Sequence, residues 1–148
     1  MSLVEMINGG MEATIPAAHK LGIKAVEARR GYAAATVPLE GNGNHFGVVY
    51  AGVEFTVAEI LGGIIAIASF DAAKYYPLVK KLDIEFTAAA RSDLRAEATL
   101  DEDELRRVET EAAENGKADF MLDAVVRDEA GQTVALTRGL YQLRAHGK

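Results

Sequence analysis

The longest apolar run of the chain lies in residues 51–70, which read AGVEFTVAEILGGIIAIASF. Apolar side chains occupy every face of a helix drawn on this segment, which predicts one long buried helix. Glu54, Glu59 and the pair Gly62-Gly63 make the segment a poor membrane span. We expect the two glycines to let a strand or another helix approach closely.

The segments on both sides of this helix alternate between apolar and polar residues, as strands with one buried face do. Before the helix, residues 21–25 and 32–38 predict a hairpin around a turn at 27–31, and residues 40–45 (EGNGNH) predict a loop. After the helix we expect further strands, with a turn at 128–131. These strands are predicted at 82–87, 94–100, 120–126 and 133–143.

Three other segments complete the predicted order of elements. Residues 3–11 predict a short helix that Gly9-Gly10 breaks, and residues 74–77 are expected to close the helical unit. Residues 101–114, which are mostly charged, predict a solvated helix or loop at the sheet edge. Neither the helix nor the sheet could bury its apolar face alone. We therefore predict an α+β fold, with an antiparallel sheet wrapped around one long central helix in a single domain over residues 1–148.

Composition limits the classes of partner. The formal net charge is −6 over 148 residues, and an acidic surface argues against a nucleic-acid partner. The chain has no cysteine, which excludes disulfides, thiolate metal sites and cysteine nucleophiles. Its first residues, MSLVEMINGGMEA, have no basic region before an apolar core, unlike a signal peptide. A cytoplasmic protein with no membrane partner is expected.

Common catalytic motifs are missing from the sequence, and this leaves carboxylate chemistry. No serine lies in a Gly-x-Ser-x-Gly turn, no histidine pair has metal-ligand spacing, and no phosphate-binding glycine loop occurs. We therefore expect no metal and no cofactor. Glu59 is the candidate, because apolar neighbours would strip its hydration. It is either a structural group bonded to a loop backbone or a carboxylate whose pKa rises toward that of a general base. Glu54 lies about 140° round the helix and points elsewhere.

The segment from Asn44 to Glu59, NHFGVVYAGVEFTVAE, resembles the signature of the phenylacetate-degradation-type branch of hotdog-fold thioesterases. In that branch an asparagine loop leads into His-Gly-Gly at the helix start, and a carboxylate follows seven residues after the second glycine. Asn44, Gly52 and Glu59 occupy the matching positions, whereas Tyr50 and Ala51 replace the histidine and the first glycine. The order of elements matches over nearly the whole chain.

The resemblance implies an acyl-CoA thioesterase with three catalytic groups. The amide of Gly52 (or Ala51) at the helix start would hold the oxyanion. Glu59 would activate water or attack directly, and Asn44 would orient water or the carbonyl. The substrate would be a thioester of coenzyme A or of a carrier protein. The resemblance implies substrate-binding roles for His45, Gly47, Tyr50 and Ala51.

Other interpretations of these residues stay open. Asn44 could be a plain loop residue, Gly52 a packing glycine and His45 an exposed loop histidine. The replacements at Tyr50 and Ala51 make an acyl-CoA or lipid-binding hotdog protein without turnover credible. A hotdog hydratase or dehydratase is a further alternative, but it would need a histidine paired with the carboxylate, and only His45 could serve.

Helix geometry predicts the assembly. Gly52 and Glu59 are seven residues apart, about 10 Å along one helix at 1.5 Å per residue. The oxyanion donor needs the carbonyl oxygen about 3 Å away, and the carboxylate must reach the water beside that same carbonyl. Two antiparallel helices that meet across a two-fold axis would satisfy both needs, whereas one helix is not expected to. We therefore predict a homodimer, or a tetramer built from such dimers, with sites shared between subunits.

Overall fold

A computed structural model describes residues 1–147 and contains one six-stranded sheet together with the helices around it. The helices are α1 (Leu3–Thr14), α2 (Pro16–Lys20), α3 (Ala51–Glu59), α4 (Leu61–Ser69) and α5 (Glu102–Asn115). The strands are β1 (Lys24–Arg29), β2 (Tyr32–Val37), β3 (Tyr75–Phe86), β4 (Leu94–Thr99), β5 (Lys117–Arg127) and β6 (Thr133–Ala145).

The sheet wraps around the paired helices α3 and α4. Its strand order is β1-β2-β4-β5-β6-β3, and every neighbouring pair is antiparallel. Between them, α3 and α4 contact all six strands. This arrangement confirms the predicted α+β hotdog fold with one central helix. Strands β1 and β3 form the two edges, so each has one side without a strand partner among residues 1–147.

The predicted central helix is confirmed, with one interruption at Ile60, which keeps right-handed helical angles between α3 and α4. By length and composition the helix could cross a membrane, but most of it is buried within the sheet, as in the core of a soluble protein. Gly62 allows a strand to approach closely, as the sequence predicts, because a Cβ at this position would lie 2.0 Å from the ring of Tyr141 on β6. Gly63 faces open space instead.

One face of the central helix is left uncovered by the sheet. Residues at successive turns of this face are exposed or half-buried, whereas those on the opposite face are buried. We call it the open face, and it consists of Gly52, Phe55, Glu59, Gly63 and Ile67.

Three sequence predictions are corrected. Helix α1 continues through Gly9-Gly10 to Thr14, supported by a capping box in which Ser2 and Glu5 bond each other's backbone amides. Residues 74–77 do not close the helical unit, because β3 already begins at Tyr75. Helix α5 lies over the interior strand β5 rather than at an edge, and it buries the apolar residues Leu105, Val108 and Ala112.

Candidate functional site

The start of α3 presents two free backbone amides. Tyr50 is the N-cap residue, and its carbonyl accepts from the amides of Val53 at 2.9 Å and Glu54 at 3.2 Å. Within residues 1–147, the amides of Ala51 and Gly52 have no hydrogen-bond partner. Unpaired amides at a helix start carry partial positive charge and can bind an anionic oxygen.

A buried amide side chain fixes the position of this helix start. Asn42 is buried, and its Nδ2 donates to the carbonyls of Leu21 at 2.7 Å and Pro38 at 2.8 Å. The backbone carbonyl of Asn42 accepts a 2.9 Å hydrogen bond from the backbone amide of Tyr50. The loop that leads into α3 is therefore tied to the body of the domain. The free backbone amides of Ala51 and Gly52 are therefore held in place and need little reorganisation when they bind a negatively charged oxygen.

The ring of Tyr50 lies against Gly52. A Cβ at Gly52 would be 2.8 Å from the Cε2 atom of that ring, closer than side-chain carbons pack. Tyr50 is otherwise exposed, so its ring can move aside. Gly52 thus serves both as a packing partner of Tyr50 and as a carrier of a free amide.

Asn44 organises the preceding loop. Its Oδ1 accepts from the amides of Phe46 at 2.9 Å and Val48 at 3.3 Å. Gly47 closes the turn with a φ of +75°, a conformation that favours glycine. His45 is exposed and its ring lies 4.0 Å from that of Phe46, centroid to centroid. The structural role of Asn44 uses only its oxygen, and its Nδ2 has no partner within residues 1–147.

Glu59 lies on the open face and is half-buried. Its carboxylate has no hydrogen bond or ion pair with any residue among 1–147, and burial raises its pKa above the ordinary glutamate value. Its backbone carbonyl, in contrast, accepts a 2.9 Å hydrogen bond from the hydroxyl of Tyr141. The backbone at Glu59 is therefore anchored, while the carboxylate stays available.

Within one chain these residues form two separate groups. Tyr50, Ala51 and Gly52 lie at the helix start, and Asn44, His45 and Gly47 lie in the loop before it. Glu59 lies about two turns further along the helix, about 10 Å away by helical rise. No group of three or more His, Asp and Glu side chains in the described part of the chain is placed to hold a metal ion.

A family model described as Domain of unknown function (DUF4442) matches residues 4–141. The chain belongs to this family. No curated protein matches it.

Solved structures place the DUF4442 chain among hotdog-fold proteins. A Pseudomonas aeruginosa protein of unknown function, described as a probable thioesterase, is 42% identical, with a TM-score of 0.88 over 96% of this chain and 95% of its own. The thioesterase HI1161 from Haemophilus influenzae is 17% identical, with a TM-score of 0.79 over 100% of this chain and 94% of its own. The resemblance to hotdog-fold thioesterases is therefore confirmed, whereas the phenylacetate-degradation-type branch stays a prediction.

Among residues 1–147, the DUF4442 chain contains a buried acid whose burial was not predicted from the sequence. Glu54 is only 5% exposed, its Oε1 has no partner within residues 1–147, and burial raises its pKa to about 7. The sequence predicted that Glu59 would be the dehydrated carboxylate, yet Glu54 is the more deeply buried. The signal was present in the spacing, because Glu54 falls in the middle of the helix face formed by Val57, Ala58 and Leu61.

Proposed function

We propose that this chain hydrolyses acyl thioesters, with acyl-CoA as the substrate class. One observation carries the proposal: the central helix has two free amides at its start, those of Ala51 and Gly52, and further along its open face it carries Glu59, whose carboxylate has no partner among residues 1–147. Free amides stabilise an oxyanion, and a carboxylate with a raised pKa suits general-base catalysis near neutral pH. Two proteins of similar structure, from Pseudomonas aeruginosa and Haemophilus influenzae, are described as a probable thioesterase and a thioesterase, which supports the same reaction class.

The proposed reaction needs only these groups and water. Glu59 takes a proton from water, and the water oxygen bonds to the thioester carbonyl carbon. The amide of Gly52, with Ala51 beside it, donates to the carbonyl oxygen as that oxygen becomes negative. The carbon–sulfur bond then breaks, and the thiolate receives the proton from Glu59. The free Nδ2 of Asn44 would hold the attacking water or the carbonyl.

Two copies of the chain would complete each site. Helix start and carboxylate lie too far apart along one helix to meet at one carbonyl, and the sheet leaves the open face uncovered, with Phe55 exposed. Edge strand β3 also has an unpaired backbone edge among residues 1–147, and its side chains Val79 and Phe86 are exposed. These features support a homodimer in which Gly52 of one copy faces Glu59 of the other.

The rival functions differ in what they require. A hydratase or dehydratase would need a histidine beside the carboxylate, yet among residues 1–147 the one histidine within ion-pair distance of an acid is His19, at 3.7 Å from Glu12. A binding protein without turnover would need the same open face but no base. The unpartnered carboxylate of Glu59 favours hydrolysis over simple binding, since burying it has a free-energy cost that binding alone does not explain.

A panel of acyl-CoA thioesters tests the proposal. Thiol release is followed with a thiol-reactive dye, and binding is followed by thermal shift, for wild type, Glu59→Gln and Glu54→Gln. Glu54→Gln is the matched control, because it makes the same chemical change on the same helix away from the open face. We expect wild type and Glu54→Gln to release thiol and Glu59→Gln to lose about a hundredfold or more. Thermal shifts without thiol release from wild type would establish a binding protein instead.

A further inference from the structure

An apolar groove of about 270 Å³ lies between α1 and α4. It is lined by side chains of both helices, among them Met6, Ile7, Ile60, Ile64 and Ile67. The polar side chain in its lining is Thr14, whose hydroxyl already donates to the carbonyl of Gly10 at 2.9 Å. A groove of this composition offers a ligand apolar contact and no hydrogen bonds.

Two glycines in the lining have no role in packing or backbone geometry. A Cβ at Gly10 or at Gly63 would meet nothing within 4 Å, and neither residue has a positive φ. Each lies inside a helix, where glycine costs about 1 kcal/mol relative to alanine. Their effect on the structure is to keep the groove wide.

The groove is held open by a specific contact on the far side of α1. The side chain of Asn8 donates to the carbonyl of Ala25 and accepts from its amide, each at 2.8 Å. This pair fixes α1 to edge strand β1. Helix α1 therefore cannot settle onto α4 and fill the groove without losing both hydrogen bonds.

The groove begins beside the proposed catalytic carboxylate. Ile60 follows Glu59 directly, and Gly63 lies one turn beyond Glu59 on the same open face. Ile67, one turn further, is 43% exposed at the rim. A ligand held at Glu59 could thus continue along α4 into the groove.

We infer that this groove binds the acyl chain of the substrate and selects medium-length alkyl groups. The inference rests on the proposed hydrolase function. An apolar cavity of about 150 Å³ holds benzene, which is about 25 Å³ per carbon. At that density, 270 Å³ holds roughly ten carbons. Continuity with Glu59 favours an acyl chain over a second copy of the protein as the occupant.

The test compares leucine substitutions at adjacent glycines of α1. Gly10→Leu places four carbons in the groove, whereas Gly9→Leu adds the same side chain at an exposed position that also has open space and lies outside the lining. Values of kcat/KM are measured for butyryl- to dodecanoyl-CoA. Wild type and Gly9→Leu should gain about fourfold per methylene up to about ten carbons.

Gly10→Leu should lose about 250-fold on decanoyl-CoA relative to butyryl-CoA, since about four methylenes lose their place. Gly10→Ala serves as a milder variant with an expected loss of about fourfold on decanoyl-CoA. An unchanged chain-length profile in both variants would overturn the groove assignment and leave the hydrolase proposal standing.

A binding measurement separates the two proposals. Decanoyl-CoA and butyryl-CoA are titrated into Glu59→Gln protein with glycine or leucine at position 10, and Kd is measured by calorimetry. If the leucine variant binds decanoyl-CoA more weakly but binds butyryl-CoA equally well, the result supports acyl-chain binding in the groove, even if wild type hydrolyses no thioester. Equal Kd values for decanoyl-CoA in the two proteins would contradict it.

Discussion

The hydroxyl of Tyr141 donates a 2.9 Å hydrogen bond to the backbone carbonyl of Glu59, at the point where α3 ends. The interruption at Ile60 creates the need for this bond, because the amide of Gly63 bonds to the carbonyl of Ile60 at 3.1 Å rather than to that of Glu59. The ring of Tyr141 also lies against Gly62. One side chain of β6 therefore sets the position of the proposed catalytic residue.

Tyr141→Phe removes this hydroxyl and leaves the ring in place. We expect a loss of about 1 kcal/mol in the free energy of unfolding, because the part-buried carbonyl of Glu59 loses its donor. Denaturant titration measures this loss. If Tyr141 positions Glu59, kcat should also fall while the KM for acyl-CoA changes little, and an unchanged kcat would limit Tyr141 to a structural role.

The neighbouring glycines Gly62 and Gly63 should respond oppositely to alanine. A Cβ at Gly62 would overlap the ring of Tyr141, which is itself only 2% exposed. Gly62→Ala should therefore cost about 1–3 kcal/mol by overpacking. Gly63→Ala meets open space and should gain up to about 1 kcal/mol from helix propensity. Equal unfolding midpoints for the two variants would contradict the packing described for Tyr141.

Glu54 should make stability depend on pH. Its pKa is raised by burial from 4.5 to about 7 in the folded chain, so the folded state holds its proton over a range where the unfolded state has released it. Its contribution is therefore most favourable below about pH 4.5, falls as pH rises, and levels off above about pH 7. The change across this window amounts to about 3 kcal/mol.

The measurement is the difference in unfolding free energy between Glu54→Gln and wild type from pH 4 to pH 8. Glutamine does not titrate, so the variant should gain relative to wild type as pH rises. A difference that stays constant over this range would mean that Glu54 titrates normally.

The pH dependence of hydrolysis should identify the base. Burial raises the pKa of Glu59, so the acid limb of kcat/KM should lie above the ordinary glutamate value, with activity falling as pH drops and the carboxylate gains its proton. Glu54→Gln should keep this limb. A limb that disappears in Glu54→Gln would transfer the catalytic role to Glu54.

Local patterns were sufficient to predict the central helix, which is apolar on every face, and most strands, each of which buries one regular face. It failed where tertiary contacts outweigh local preference. The Gly9-Gly10 pair favours a break, yet the Asn8 contact with Ala25 and the capping box hold α1 as one helix. Pro77 suggested that the helical unit ends at residues 74–77. Among residues 1–147, however, β3 is an edge strand that pairs with β6 alone, and an edge strand tolerates the missing N–H of a proline.

The candidate site was predictable only in part. The loop from Asn44 and the helix start could be placed by resemblance, since they are contiguous in sequence. The anchor from Tyr141 to Glu59 joins residues 82 positions apart, and no local pattern reveals it. The groove between α1 and α4 could not be predicted for the same reason, because it forms between two helices that are distant in the sequence.

The shared site is tested most directly by mixing two inactive variants. Glu59→Gln lacks the base, and Gly52→Pro lacks the Gly52 amide. Losing this one oxyanion donor should lower thiol release by about a hundredfold even with the Ala51 amide in place, and the first turn of a helix tolerates proline. If each site joins Gly52 of one copy to Glu59 of the other, half of the randomly assorted dimers are mixed, and each has one working site. Co-refolded protein should then recover about a quarter of wild-type thiol release. No recovery, with subunit exchange demonstrated by differently tagged chains, would show that each site is built within one chain.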